Sequence, residues 1–520
     1  MKSRFSPFPL ALACGFLSLT LPAVPAAEPV SRTLSRALLE DKIRGGWAGQ
    51  MIGVALGAPT EFQALGKILE SDLPWSPDRV ENALHQDDLY VEMTFAGVMD
   101  RVGLGASSRH YGEAFRDSKY DLWHANAAAR RNLARGLPAS WSGHPKYNFH
   151  ANDIDFQIEA DFIGLMCPGL PREANWFCDR VGRVMSHGDG LYGGMFIAGM
   201  YSAAFFESDP RRVVEAGLAS LPAESGYARV IREVLDASAR HPDNWREVWQ
   251  TIQDHWDEVD SCPEGALKPF NIDARLNGAY VAIGLLHGGR DFARTLEIAT
   301  RCGQDSDCNP SSAGGVLGTM LGYDAIPELF RAGIPAIADL KFDFTDYSFN
   351  DICRSTVNRA LKVVERARGV VSAEAVEVPL QNPKPPKLEQ WNPGIAYRSI
   401  LLSDRAWRRS PSWTEDADGM TSHDAGAEAT VEFEGVAVAI TGRMGTDGGR
   451  ADVYLDGRRS SLVLDAWVPE RTHDSDLWRA YDLKPGRHTL RIVIRPISDT
   501  RSTGRRVTLG EVIVYAGRAE

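Results

Sequence analysis

The run Gly303-Gln304-Asp305-Ser306-Asp307-Cys308-Asn309-Pro310, continued by the small residues from Ser311 to Gly318, decides the reading of this chain. Two carboxylates stand one residue apart, bracketed by Gly and Asn, where a loop gives way to an apolar segment of small residues. A second acidic pair, Asp87-Asp88, lies far upstream. Hard divalent cations take several oxygen ligands from separate parts of a fold, and two distant carboxylate pairs can supply them.

Outward from that run the texture is helical, from Thr33 to about Arg368. Leu34 to Met51, Pro210 to Ala219, Trp245 to Val259 and Ala293 to Ala299 carry apolar residues at three-to-four spacing. Gly45 to Ala58, Gly193 to Ala204, Gly278 to Gly289 and Ala313 to Gly322 are dense in Gly and Ala. Small residues let helix backbones approach closely, so the expected fold is mainly α, a compact many-helix bundle spanning 33–370.

Residues 371–394 change character. Glu374 to Pro393 reads EAVEVPLQNPKPPKLEQWNP, the composition of an extended linker. Beyond it strands dominate: Ala429 to Phe433, Val436 to Thr441, Ala451 to Leu455, Arg487 to Ile494 and Val507 to Tyr515, with Asp456-Gly457 as a hairpin turn. Residues 395–520 are therefore expected to form an all-β, jelly-roll-like sandwich. Asp452-Val453-Tyr454-Leu455-Asp456-Gly457 and Lys484-Pro485-Gly486-Arg487-His488-Thr489-Leu490 resemble modules appended to secreted glycoside hydrolases. Trp467, Trp478 and Tyr481 are candidates to stack on a sugar, although core packing is the commoner use of each.

At 520 residues the chain is too long for one ordinary core. It is 44% apolar, 24% charged and carries a net charge of −12, which argues against binding a nucleic-acid backbone. Lys2 and Arg4, the apolar run Phe8 to Val24 and the small residues at Val24-Pro25-Ala26-Ala27 read as a secretory signal over 1–27. That implies an exported protein, periplasmic or extracellular, without stable membrane insertion. Cys14 falls in the signal. Cys167, Cys178, Cys262, Cys302, Cys308 and Cys353 remain, expected as buried thiols with at most one or two bridges. No CxxC spacing or His/Cys cluster in the sequence suggests zinc.

The opening segment Gly45-Gly46-Trp47-Ala48-Gly49-Gln50-Met51-Ile52-Gly53-Val54-Ala55-Leu56-Gly57-Ala58-Pro59-Thr60-Glu61, then Gln86-Asp87-Asp88, then Asp305-Ser306-Asp307, resemble the ADP-ribosylglycohydrolase family in order, spacing and flanks. The resemblance covers roughly Ser35 to Gly322. It implies an all-helical domain holding two Mg2+ ions between the acidic motifs and cleaving a glycosidic bond at the anomeric carbon of an ADP-ribosyl ribose. By this resemblance Asp87 and Asp88 match the first metal motif, Asp305 and Asp307 the second, and Glu61 a glutamate near the scissile bond. The chain departs from the family pattern at Gln86, Leu89-Tyr90 and Cys308, where hydroxyl residues are usual, and at Val54, where Asp is common. Sulfur is a poor ligand for Mg2+, so one ion, or another divalent cation, is an open alternative. Glu92, one turn after Asp88, is a compensating oxygen donor.

The expected site is therefore Glu61 and Asp88 as catalytic residues and Asp87, Asp88, Asp305, Asp307 and Glu92 as metal ligands. Asp155, Glu159, Gly190 and Tyr192 are the substrate-binding candidates. Asp155 and Glu159 belong to the acidic run from Asn152 to Asp161, where Asp153 reads equally as a helix cap or a cleft residue. Gly190 and Tyr192 belong to the Gly-rich loop His187-Gly188-Asp189-Gly190-Leu191-Tyr192-Gly193-Gly194. Three functions are compatible: a metal-dependent hydrolase of ADP-ribosyl or related ribosyl bonds, an exported glycosidase on a glycan or furanoside, and an inactive carbohydrate-binding protein. The expected partner is a small molecule or glycan.

Overall fold

A computed structural model describes residues 30–257, 262–391, 393–402, 404–416, 419–469 and 472–517. The segment read as an export signal, with Cys14, lies outside the described residues. At the centre, Gly45, Gly49, Gly53 and Gly57 form one stripe on the opening helix Arg36–Gly57. A Cβ added to them would fall 2.2, 2.1, 2.1 and 2.1 Å from the carbonyl oxygens of Gly318, Gly314, Pro310 and Ser306. The opening helix and the helix Cys308–Leu321 thus run antiparallel, backbone against backbone. Only glycine admits that approach, and the contact carries the loop before Cys308 to the end of the opening helix.

Two further helices, Asp189–Ala204 and Ala274–Gly288, are buried on nearly every side. Amphipathic helices such as Gly226–Arg240, Phe292–Arg301 and Phe349–Arg366 close the outside. The expected Leu34 to Met51 helix begins later, at Arg36, because Ser35 caps it through Leu38 N (3.1 Å) and Ser31–Ser35 is a strand. That strand pairs antiparallel with Ala375–Pro379, which pairs with Val370–Val371.

The Pro-rich segment is extended, as its composition implies, but it is strapped to the helical half. Gln381 N donates to Gly169 O (3.0 Å), and Arg183 holds Glu389 through both carboxylate oxygens at 2.6 and 2.7 Å.

The C-terminal half has two six-stranded antiparallel sheets. One is ordered Arg458–Arg459, Arg450–Leu455, Gly486–Ile494, Glu428–Gly435, Arg408–Arg409, with Leu464–Asp465 on Arg450–Leu455. The other is ordered Thr472–Ala480, Ala437–Met444, Val507–Ala516, Gly419–Ser422, Thr414–Asp416, with Ile395–Ile400 on Val507–Ala516. Alternation puts Ala429, Val431 and Phe433 inward from Glu428–Gly435. They share one apolar core with Ile440, Leu509, Val512 and Val514 of the other sheet. Asp456 and Gly457 take φ of +52° and +75°, as a tight hairpin turn demands.

The halves meet around Phe149, which packs with Trp391, Tyr481 and Tyr515. Arg135 Nη2 donates to the carbonyls of Asp465 (2.7 Å) and Trp467 (2.9 Å). None of the three candidate sugar-stacking aromatics is an open platform. Trp467 is buried under Arg501, Trp478 is in the core with its Nε1 on Leu462 O, and Tyr481 packs at the interface. The six described cysteines are all buried and none is joined in a disulfide, so the expected bridges are absent from the described residues. No helix among the described residues is long and apolar enough to cross a membrane.

Candidate metal centre and active site

The glycine contact assembles the site. Beyond Gly57 the chain makes a single turn, Ala58–Thr60, and delivers Glu61. Thr60 Oγ1 donates to Gly57 O (2.7 Å) and lies 2.9 Å from Ser306 Oγ. Phe62 N donates to Gln304 O (3.0 Å) and Gln304 N to Ala64 O (3.1 Å). These bonds hold the Glu61 loop against the Asp305 loop. Carboxylate oxygens of Glu61, Asp305 and Asp307 consequently lie within 4.8 Å of one another. Asp307 stands at the N-cap of the helix Cys308–Leu321, and Asp87 and Asp88 form the first turn of the helix Asp87–Val102. A carboxylate oxygen of Asp88 lies within 4.8 Å of Asp307 and of Cys308 Sγ. The two acidic motifs meet at two helix N-termini, where negative charge is favoured.

Even so, the charge is crowded. Burial, then Asp307 and Asp87, push the Asp88 carboxyl well above the usual carboxylate range. Burial and Asp307 do the same to Asp305. Asp87, half-buried, is raised to about 6 by burial and Asp307. Glu61, exposed as a residue but with its carboxylate turned toward the cluster, is raised by desolvation of that group, then by Asp307 and Asp87. Neutral groups donate to the deeper carboxylates. Cys308 Sγ donates to Asp88 Oδ2 (3.5 Å), Phe162 N to Glu92 Oε2 (2.8 Å), and Ser312 Oγ to Asp161 Oδ2 (3.5 Å).

Asp88 Oδ1, Glu92 Oε1, Asp305 Oδ1 and Asp307 Oδ1 are buried and accept no hydrogen bond. Buried carboxyl oxygens without a partner are costly. Carboxylate oxygens gathered at the ends of two helices fit a hard divalent cation, and Asp88, Asp305 and Asp307 belong to two candidate metal-binding groups, one with Cys308 Sγ and the other with Glu61.

The family departures have local explanations. Gln86 turns away to Asn82 Oδ1 (2.8 Å), and Leu89 is core. Tyr90 packs on Tyr120 and Phe344 at ring separations of 5.0 and 5.1 Å. The Cys308 thiol is a donor to Asp88.

The remaining expected residues divide. Glu159 lies near the cluster, raised by burial and then Asp155, with Asp87 also contributing, and it accepts from Asn126 Nδ2. Asp155, expected in the cleft, instead caps the helix His124–Ala134, accepting from Ala125 N (3.3 Å) and Asn126 N (2.8 Å). Gly190 and Tyr192, expected to bind substrate, serve packing. A Cβ at Gly190 would meet Ala151 O at 2.3 Å. The buried Tyr192 hydroxyl donates to Lys387 O (3.2 Å) and accepts from Glu389 N (2.7 Å) of the strap.

Asp161, which the sequence reading did not assign, is the residue added to the site. Its charge acts on both Asp88 and Glu92, and burial raises it to about 7. The signal was its place at the end of the acidic run, in the first turn of the helix Asp161–Leu165. A second correction concerns zinc: the sequence shows no His/Cys cluster, yet the fold gathers His124, His150, Asp153 and Cys262 within 4.8 Å.

The model of the ADP-ribosylglycohydrolase family matches residues 35–361, well over half of the chain, and the chain belongs to that family. Among solved structures, an ADP-ribosylglycohydrolase-related protein complex is similar at 16% identity, covering 62% of this chain and 99% of that one, with a TM-score of 0.44. A two-domain esterase active on acetylated mannans, crystallised with mannopentaose, is 17% identical over 33% of this chain and 46% of its own, with a TM-score of 0.21. A family two carbohydrate esterase from Cellvibrio japonicus is 19% identical over 22% and 32%, with a TM-score of 0.18. TM-scores this low carry no inference about substrate. No curated protein matches the chain.

Proposed function

We propose that the protein is a metal-dependent glycohydrolase cleaving the bond at an ADP-ribosyl or related ribosyl anomeric carbon. The observation that carries this is the place of Asp307 between two clusters from three chain segments: its carboxylate lies within 4.8 Å of ligand atoms of Glu61 and Asp305 in one, and of Asp88 and Cys308 in the other. Asp87, Asp88, Asp305 and Asp307 are the proposed ligands of Mg2+ or a similar cation, with Glu92 and Asp161 behind them. A bound divalent cation would hold ribose hydroxyls and make a bound water more acidic.

The chain's own contribution follows from exposure. Asp88, Asp305 and Asp307 are buried and fix the sugar-facing charge, which favours the oxocarbenium-like transition state of glycosidic cleavage. Glu61 stands at the solvent edge, so it is the group proposed to hold or move the proton at the water or the leaving atom. Export and a jelly-roll-like sandwich remain part of the proposal, resting on the N-terminal sequence and on the two sheets with one core. If the protein is exported, a furanoside of an extracellular glycan is the favoured second substrate class.

The test is a hydrolysis screen of ADP-ribose conjugates beside aryl-furanosides and polysaccharides, each with Mg2+ and with EDTA. Chelator-sensitive release of a ribosyl product, abolished in Asp305→Asn, is expected. Full turnover by Asp305→Asn would refute the assignment. No turnover together with sugar binding would favour the inactive carbohydrate-binding reading.

A further inference from the structure

We propose that His124 Nδ1, His150 Nδ1, Asp153 Oδ2 and Cys262 Sγ form a second, structural metal site for a tetrahedral cation of the Zn2+ type. It shares no ligand with the acidic site and is chemically unlike it.

The distances converge on a point. His150 Nδ1 lies 2.9 Å from Asp153 Oδ2 and 3.5 Å from Cys262 Sγ. His124 Nδ1 lies 3.9 Å from each of the same two atoms. Bonds of about 2.0–2.1 Å from nitrogen or oxygen and about 2.3 Å from sulfur put tetrahedral ligands roughly 3.3–3.6 Å apart. The observed separations bracket that range.

The surroundings are those of a built site. His150 is 2% exposed and Asp153 fully buried. Backbone and side-chain bonds hold their loop: Asp153 N donates to His150 O (2.9 Å), His150 N to Asn148 Oδ1 (3.0 Å) and Ile154 N to Ile272 O (3.0 Å). His124 opens its helix at a φ of +41°, a left-handed conformation uncommon for a non-glycine residue. The other nitrogen of His150, Nε2, has two carboxylates nearby, Glu264 Oε2 and Asp476 Oδ1, each at 3.8 Å. Asp476 comes from the β half, paired with Arg479 and 3.5 Å from Arg131 of the helical half.

Borderline-soft donors, two imidazoles with one thiolate and one carboxylate, suit Zn2+ and not Mg2+. Four protein ligands leave no open position, so the site is structural. On binding, Cys262 gives up the proton it now donates to Glu264 Oε2 (2.9 Å), and the thiolate takes the metal. The ion would pin the segment around Cys262 to the loop that carries Phe149 into the domain interface.

The experiment is a Co2+ titration of the chelated and dialysed full-length protein, followed by absorption. A tetrahedral Co2+ spectrum with a thiolate-to-cobalt charge-transfer band, saturating near one equivalent and reversed by Zn2+, is expected. Cys262→Ser should remove that band, while Cys308→Ser and Asp307→Asn leave it intact. Should Cys262→Ser fail to fold, His124→Gln carries the test, with a shifted band and Co2+ affinity lower by about tenfold or more. A wild-type spectrum without the band, a band that survives Cys262→Ser but falls in Cys308→Ser, or a spectrum unchanged in His124→Gln would overturn the proposal. The readout is independent of glycosidic turnover, so the two metal assignments fail separately.

Discussion

Each acidic residue of the cleft answers to its depth. Glu61 is the one placed to exchange protons with solvent, and Glu61→Gln should lower kcat by about 10²–10⁴ while leaving Mg2+ binding nearly unchanged. A pH–rate profile that keeps the same limbs in Glu61→Gln would remove it from proton transfer. Cys308 makes a sharper case. It occupies the position of a hard donor with a soft atom, and its thiol spends itself on Asp88. Cys308→Ser should tighten Mg2+ binding in calorimetry, because a hydroxyl of similar size offers an oxygen at the same place. Weaker binding in Cys308→Ser would mean that the thiol's hydrogen bond is needed to orient Asp88. The acidic motifs were legible in the sequence because carboxylates in short spacings announce themselves. Asp161 was not, since its role depends on a helix that turns it toward Glu92 and Asp88. Asp155 misled for the matching reason: an acidic residue beside a cleft motif caps a helix as readily as it binds a ligand.

At the scale of elements, the stripe Gly45, Gly49, Gly53 and Gly57 sets the register between the opening helix and the helix Cys308–Leu321. A methyl group at Gly49 would sit 2.1 Å from Gly314 O, where backbone cannot yield. Gly49→Ala should therefore destabilise by about 3 kcal/mol, at the upper end of overpacking costs, and also weaken Mg2+ binding, since the Glu61 and Asp305 loops hang from the same contact. A Gly49→Ala protein with wild-type thermal stability would mean that the helices are not held this way. Small-residue density made the close packing foreseeable, but not which stripe faces which. Five strands were legible to within about three residues because alternation is local, whereas Ile395–Ile400, Gly419–Ser422 and Thr472–Ala480 were not. The strap was not: proline-rich composition reads as a free linker, and only the fold brings Arg183 and Tyr192 to Glu389. The cluster around Cys262 was hidden similarly, since its four residues come from three separate stretches with no ligand spacing between them.

For the whole molecule, the crowded carboxylates link folding to pH and to metal. Asp87 and Asp161 are raised from 3.8 to about 6 and about 7, so without metal the folded state keeps protons that the unfolded chain has released. Stability from these groups is complete below about pH 4 and is lost as the pH rises toward 7. The melting temperature in EDTA should fall across that window, and Mg2+, which replaces the protons, should flatten the fall. Equal profiles with and without Mg2+ would show that the cluster does not bind the ion. The β half contributes differently. Trp467 and Trp478 are buried and the half-buried Tyr481 packs on Phe149 and Trp391, so the evident work of that half is to bury Phe149 and to receive Arg135.

The most direct measurement is anomalous diffraction from crystals soaked in Mn2+. The account predicts an anomalous peak between the two acidic motifs, about 2.0–2.6 Å from carboxylate oxygens of both Asp88 and Asp307. Mn2+ bound elsewhere, with that position empty at saturating concentration, would contradict it.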